Sequence, residues 1–76
     1  MEKIIVMDKE EKAKVLQRLS DLHQPNKIYS IEQTIDKFYD DVIQLEVMPQ
    51  YDMDTDAMIK QCLRHGPEVL VIEEAR

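Results

Sequence analysis

DMDTDAMIKQCLRHGPEVLVIEE, residues 52–74, contains a helix start, a helix, a helix stop and a strand in succession. Asp52, Asp54 and Asp56, with Thr55 among them, supply side-chain oxygens for the unpaired N–H groups of a helix start and complement its positive dipole end. Ile59, Cys62 and Leu63 follow at i, i+3, i+4, one helical face. His65-Gly66-Pro67 ends the helix: Gly66 can take the left-handed conformation and Pro67 cannot continue the hydrogen-bond pattern. Val69-Leu70-Val71-Ile72 is then an unbroken apolar run, three of its residues β-branched, as expected of a strand buried on both faces.

Working outward, Lys3 to Met7 (KIIVM) reads as a first strand, also apolar on both faces, and so as a central one. Asp8 caps a helix, with Glu11 at capping-box spacing. The helix runs to about Leu22, with Val15, Leu19 and Leu22 on one stripe and Leu16 beside them. Lys9, Lys12, Lys14 and Arg18 share the other face with Glu10 and Glu11, a mixture that reads as a solvated face rather than a nucleic-acid patch. His23-Gln24-Pro25-Asn26 closes it, since residues before proline avoid helical geometry. Lys27 to Asp41 has two readings. Ile28, Ile31, Ile35 and Phe38 fit a helical stripe that Ser30 and Gln33 could cap. The abundance of β-branched residues favours a strand over Lys27–Ile35, leaving Asp36–Asp41 as a long hairpin loop. Val42 to Val47 alternates: Ile43, Leu45 and Val47 on one side, Gln44 and Glu46 on the other, a half-buried strand.

The order β-α-β-β-α-β predicts an α+β, ferredoxin-like sandwich: a four-stranded antiparallel sheet, strands one and three central, with both helices on one face. The other face would then be bare. Because the first and last strands are apolar on both sides, that bare face would carry an apolar patch, for which Ile4, Val6, Val69 and Val71 are the candidate residues. Such a patch predicts cover, by a second copy of the chain in a symmetric dimer or by another domain.

Seventy-six residues with 43% apolar side chains and one glycine suit a single folded domain, residues 1–76. A core this small is marginal, which favours support from a partner or an oligomer. The net charge of −6 repels phosphate backbones, so direct DNA binding is not expected. One cysteine forms no internal disulfide and suits a reducing compartment. No apolar run is long enough to span a bilayer, and Ile4–Met7 is too short for a signal peptide, so a cytoplasmic location is expected.

Candidate chemistry is sparse. Cys62 and His65 form C-x-x-H, which His23 or an aspartate would complete as a zinc site; but Cys62 lies on the core-facing stripe and His65 in a last helical turn, where a cation suits the dipole. Asp52, Asp54 and Asp56 resemble the start of a calcium loop, but position six is Ala57 and position twelve is Leu63, so capping explains them better. No glycine-rich phosphate loop, catalytic triad or paired aromatic platform is present. An enzyme, a metal site and a cofactor are therefore not expected.

VIQLEV, the acid-capped helix, IKQCLRHGPEVLVIEE and the terminal Arg76 together resemble the C-terminal extension domain of bacterial WYL-domain transcriptional regulators. Gly66, Val69, Val71 and Glu73 occupy the places of that family's terminal glycine and V-x-V-x-E strand, and His23 to Asn26 is similar to its His/Pro/Gln segment. The resemblance implies a non-enzymatic regulatory module for effector sensing or dimerisation, acting with a DNA-binding head elsewhere and answering to a small ligand or nucleotide effector through the parent protein. Met1 directly before the first strand suits either an excised domain or a stand-alone relative. The alternative reading is a stand-alone small acidic protein, for example phage-encoded, that binds and inhibits a basic partner by charge complementarity.

Overall fold

The computed structural model describes residues 1–25 and 27–74; Asn26 and Arg76, invoked in the resemblance above, lie outside the described residues. Six main elements follow the expected order: β1 (Glu2–Val6), α1 (Lys9–Ser20), β2 (Ile28–Glu32), β3 (Ile43–Glu46), α2 (Thr55–Leu63) and β4 (Val69–Glu73). A short 3-10 turn at Pro49–Tyr51 leads into α2.

The local signals act as read. Asp8 caps α1 by accepting from Glu11 N at 2.7 Å, and the Glu11 carboxylate accepts from Met7 N at 2.9 Å, so one short segment satisfies two orphan donors. Asp54 caps α2 through Ala57 N at 2.9 Å. Gly66 closes the turn after α2 at φ +61°. Between Lys27 and Asp41 the strand reading holds, over Ile28–Glu32.

The sheet differs from expectation. All three pairings are parallel and the strand order is β1-β4-β2-β3. The predicted antiparallel ferredoxin-like arrangement is therefore wrong. β1 is an edge strand rather than a central one, and β4 lies inside.

The helices also lie on opposite faces. Leu70 and Ile72 of β4 pack with Met58 and Cys62 of α2, whereas Val71, the residue between them, packs with Val6 and with Leu16 of α1. Chain direction explains this. α1 connects β1 to β2 by stepping two positions across the sheet, and α2 connects β3 to β4 by stepping two positions back. Crossovers of the same hand running in opposite directions must place their helices on opposite faces. The two-sided apolar run in β4 is thus the ordinary signature of a buried parallel strand.

The connection from β2 to β3 decides the topology. Asp36–Asp41 was expected to form a hairpin loop after a strand reaching Ile35; the strand ends at Glu32 and the connection covers residues 33–42. They form a crossover between adjacent parallel strands, without a helix, on the α1 face. A crossover built of loop must find partners for its backbone groups, and here the sheet provides them. The Gln44 side chain accepts from Tyr39 N at 2.8 Å and donates to Lys37 O at 2.8 Å. Glu46 accepts from Ile35 N at 2.8 Å and Glu73 from Gln33 N at 2.9 Å, while Ser20 of α1 donates to Asp40 O at 2.7 Å. The polar residues of β3, expected to face solvent, hold this loop down. Across the α1 face one registered row reads Ile4–Val71–Ser30–Gln44. Its apolar half lies toward α1 and its polar half under the loop.

Candidate functional site

The second face of the sheet carries an apolar cleft. Its registered rows are Lys3–Leu70–Tyr29–Ile43 and Ile5–Ile72–Ile31–Leu45. α2 covers the middle of these rows and leaves a gap toward the β3 edge. Tyr29, Ile43 and Leu45 form the floor of that gap; Met58, Gln61, Cys62 and His65 of α2 form one wall. Met53 closes an end, placed there by a two-residue bridge in which Met48 N donates to Met53 O at 2.7 Å and Met53 N to Met48 O at 3.1 Å. The volume of this half-open cleft is about 410 Å³, within the range of small-molecule sites, which are mostly apolar with a few polar groups to orient the ligand. Gln61, His65 and the Tyr29 hydroxyl are the polar groups here. The His65 ring stacks on Tyr29, with centroids 5.9 Å apart and planes inclined by 20°, fixing the mouth of the cleft.

Cys62 is 1% exposed. Burial pushes its thiol pKa up from the ordinary value of 9.0, so at neutral pH it is a protonated, apolar lining residue and not a thiolate nucleophile. It does share this region with His65, but His23 is elsewhere, its Nδ1 3.0 Å from Asp41 Oδ2. Among the described residues, no group of three or more His, Cys, Asp or Glu side chains is placed to hold a metal ion. Asp54 and Asp56 belong to the first turn of α2, and Asp52 takes left-handed geometry at φ 58° in the preceding turn.

The residues proposed for an exposed apolar patch, Ile4, Val6, Val69 and Val71, all lie beneath α1; Val6 and Val71 are fully buried. The bare apolar strip is on the other side of β1, where α2 does not reach. Ile5 is 49% exposed and Met7 43%.

A buried ionic cluster went unseen in the sequence. Lys12, taken as part of a solvated face, is only 3% exposed. Its ammonium lies 3.1 Å from Glu32, 3.1 Å from Glu73 and 3.2 Å from Asp36, and donates to Thr34 O at 2.8 Å. Three N–H donors are shared among four acceptors, which leaves Glu32 Oε1 with charge attraction but no hydrogen bond of its own. The other Glu32 oxygen accepts from Ser30 Oγ at 2.7 Å and Gln44 Nε2 at 3.0 Å. Burial alone would lower the Lys12 pKa; its contacts with the Glu73, Glu32 and Asp36 carboxylates outweigh it and hold the ammonium above its ordinary 10.5. The Lys12 ammonium in turn holds Asp36 below its ordinary 3.8. The cluster joins α1, β2, β4 and the loop crossover, and its geometry is that of a fastening inside the fold. One signal was available: Lys12 is four residues before Leu16 and seven before Leu19, on the apolar stripe itself.

No helix among the described residues is long and apolar enough to cross a membrane. Comparisons of the chain with protein-family models, with curated proteins and with solved structures find no match.

Proposed function

We propose that this chain is a non-enzymatic effector-sensing module whose ligand is a small, largely apolar molecule bound in the cleft between α2 and β3. The cleft itself carries the reading: about 410 Å³, lined by Tyr29, Ile43, Leu45, Met53, Met58 and Cys62, with Gln61, His65 and the Tyr29 hydroxyl as polar groups. Two methionines add adaptable, polarisable walls that suit a planar ligand. A ligand there would touch both α2 and the edge strand β3. The resemblance to the WYL C-terminal extension supplies the regulatory context, with a DNA-binding head on another domain. The single buried cysteine suits work in the cytoplasm.

The test uses methyl-13C methionine and a panel of bicyclic aromatics such as indole, quinoline and naphthol. The expected result is a saturable shift of the Met53 and Met58 methyls, with Met1 and Met7 unmoved, that Leu45→Asp removes. Shifts that never saturate, or that move Met1 and Met7 equally, overturn the proposal.

A further inference from the structure

The opposite face carries a different surface. Lys14 and Arg18 stand one turn apart on the exposed side of α1. Lys37 comes from the loop crossover to the same shallow depression, of about 480 Å³, which Gln17 and Tyr39 also line. Lys37 is presented from a fixed backbone: its carbonyl accepts from Gln44, the neighbouring Tyr39 N donates to Gln44, and its ammonium sits 5.2 Å from the centre of the Tyr39 ring.

The charge pattern is unusual for this chain. It has sixteen acidic and ten basic residues. Lys9, Lys12 and Lys27 each lie within 4 Å of a carboxylate. Among the described residues, Lys14, Arg18 and Lys37 have no such partner, nor do Lys3, Lys60 and Arg64; the first three share one depression, and no carboxylate lines it. Three like charges converging without a counter-ion, in an acidic molecule, make a local positive site. Arg18 offers a two-pronged donor and the lysines offer point charges, the combination that suits a tetrahedral oxyanion. We propose that this depression binds a phosphate dianion, free or as a monoester. An adjoining hollow shares Gln17, Lys37 and Tyr39 and adds Ser20, Asp40 and Phe38, the last 79% exposed. A monoester bearing an aromatic base would find a stacking surface there, whereas inorganic phosphate would not. The site is independent of the apolar cleft, on the other face of the sheet, and stands or falls without it.

The test is an amide NMR titration of the full chain at low ionic strength with inorganic phosphate, with adenosine 5′-monophosphate, with adenosine, and with potassium chloride at matched ionic strength. The expected result is saturable shifts at Lys14, Gln17, Arg18 and Lys37 with both phosphates and not with chloride or adenosine. Tighter binding of the nucleotide, with a shift at Phe38, assigns the monoester; equal affinity assigns free phosphate. Lys14→Gln, Arg18→Gln and Lys37→Gln, all on the surface, should each weaken binding about threefold and together about 30-fold, the scale of exposed ion pairs. Thermal melting should show the variants still folded. Shifts that chloride reproduces, that adenosine reproduces, or that survive the triple substitution overturn the proposal.

Discussion

Lys12→Met tests the internal fastening most directly. Methionine keeps the length of the stem and the helix propensity, so the change removes a charge rather than a shape. It leaves Glu32 (1% exposed) and Glu73 (6% exposed) without their cation, and Thr34 O without its donor. Asp36 counts for little, because its side chain is 45% exposed and can return to water. Removing one partner of a buried ion pair costs about 3–5 kcal/mol. A chain of this length has a total stability of about 4–11 kcal/mol at 0.05–0.15 kcal/mol per residue. The substitution therefore takes a large fraction of the total, and a sizeable unfolded population is expected in water. Urea denaturation followed by far-UV circular dichroism gives the loss. Adding Glu32→Gln and Glu73→Gln to Lys12→Met should recover much of it, since the amides keep an acceptor oxygen and no longer bury charge. The pH dependence has two ends. Asp36, with its pKa lowered in the fold, contributes stability that is present above its unfolded value of about 3.8 and lost as pH falls through the folded one. Lys12, with its pKa raised, contributes stability that is complete below 10.5 and lost as pH rises through the folded value. The gap between wild type and Lys12→Met should therefore be widest near neutrality and narrow toward either extreme. A loss below about 1 kcal/mol at pH 7, the scale of an exposed pair, would show that the cluster does not hold the fold together.

Three further outcomes are expected. Gly66→Val places a β-branched residue at φ +61°, where open space surrounds the new side chain, so the cost is backbone strain of about 1–2 kcal/mol or more, read by thermal melting; a melting temperature equal to wild type would contradict it. Cys62 should react with a thiol reagent slowly in the native chain and rapidly in denaturant, because it is buried and its pKa is raised; fast native labelling would mean that the cleft is more open than described. The bare strip of Ile5 and Met7 is expected to bring two copies together along the β1 edge, so light scattering at micromolar concentration should give twice the 9.0 kDa chain mass and Ile5→Lys should give monomer; a wild-type monomer at every concentration would rule this out.

Much of the local structure was legible in the sequence because its causes are local. Asp8 with Glu11, Asp54, and His65-Gly66-Pro67 act within four residues of themselves, so both helix starts and the second helix stop could be read from spacing alone. The unbroken Val69–Ile72 run correctly indicated a strand covered on both sides. What it could not indicate was strand direction, because an apolar strand pairs equally well with parallel and antiparallel neighbours. Direction rested on residues 33–42, where a short helix-free connection looks like a hairpin. Only the folded chain shows Gln44, Glu46 and Glu73 reaching out of the sheet to satisfy that loop's backbone, and those contacts join residues five to forty positions apart. The same separation hid the sites. Lys12 meets Glu73 across 61 positions, Tyr29 meets His65 across 36, and Lys37 joins Lys14 and Arg18 only because the crossover folds back over α1. Sequence spacing determined the elements and their ends; the path of one loop over the sheet decided which side chains meet.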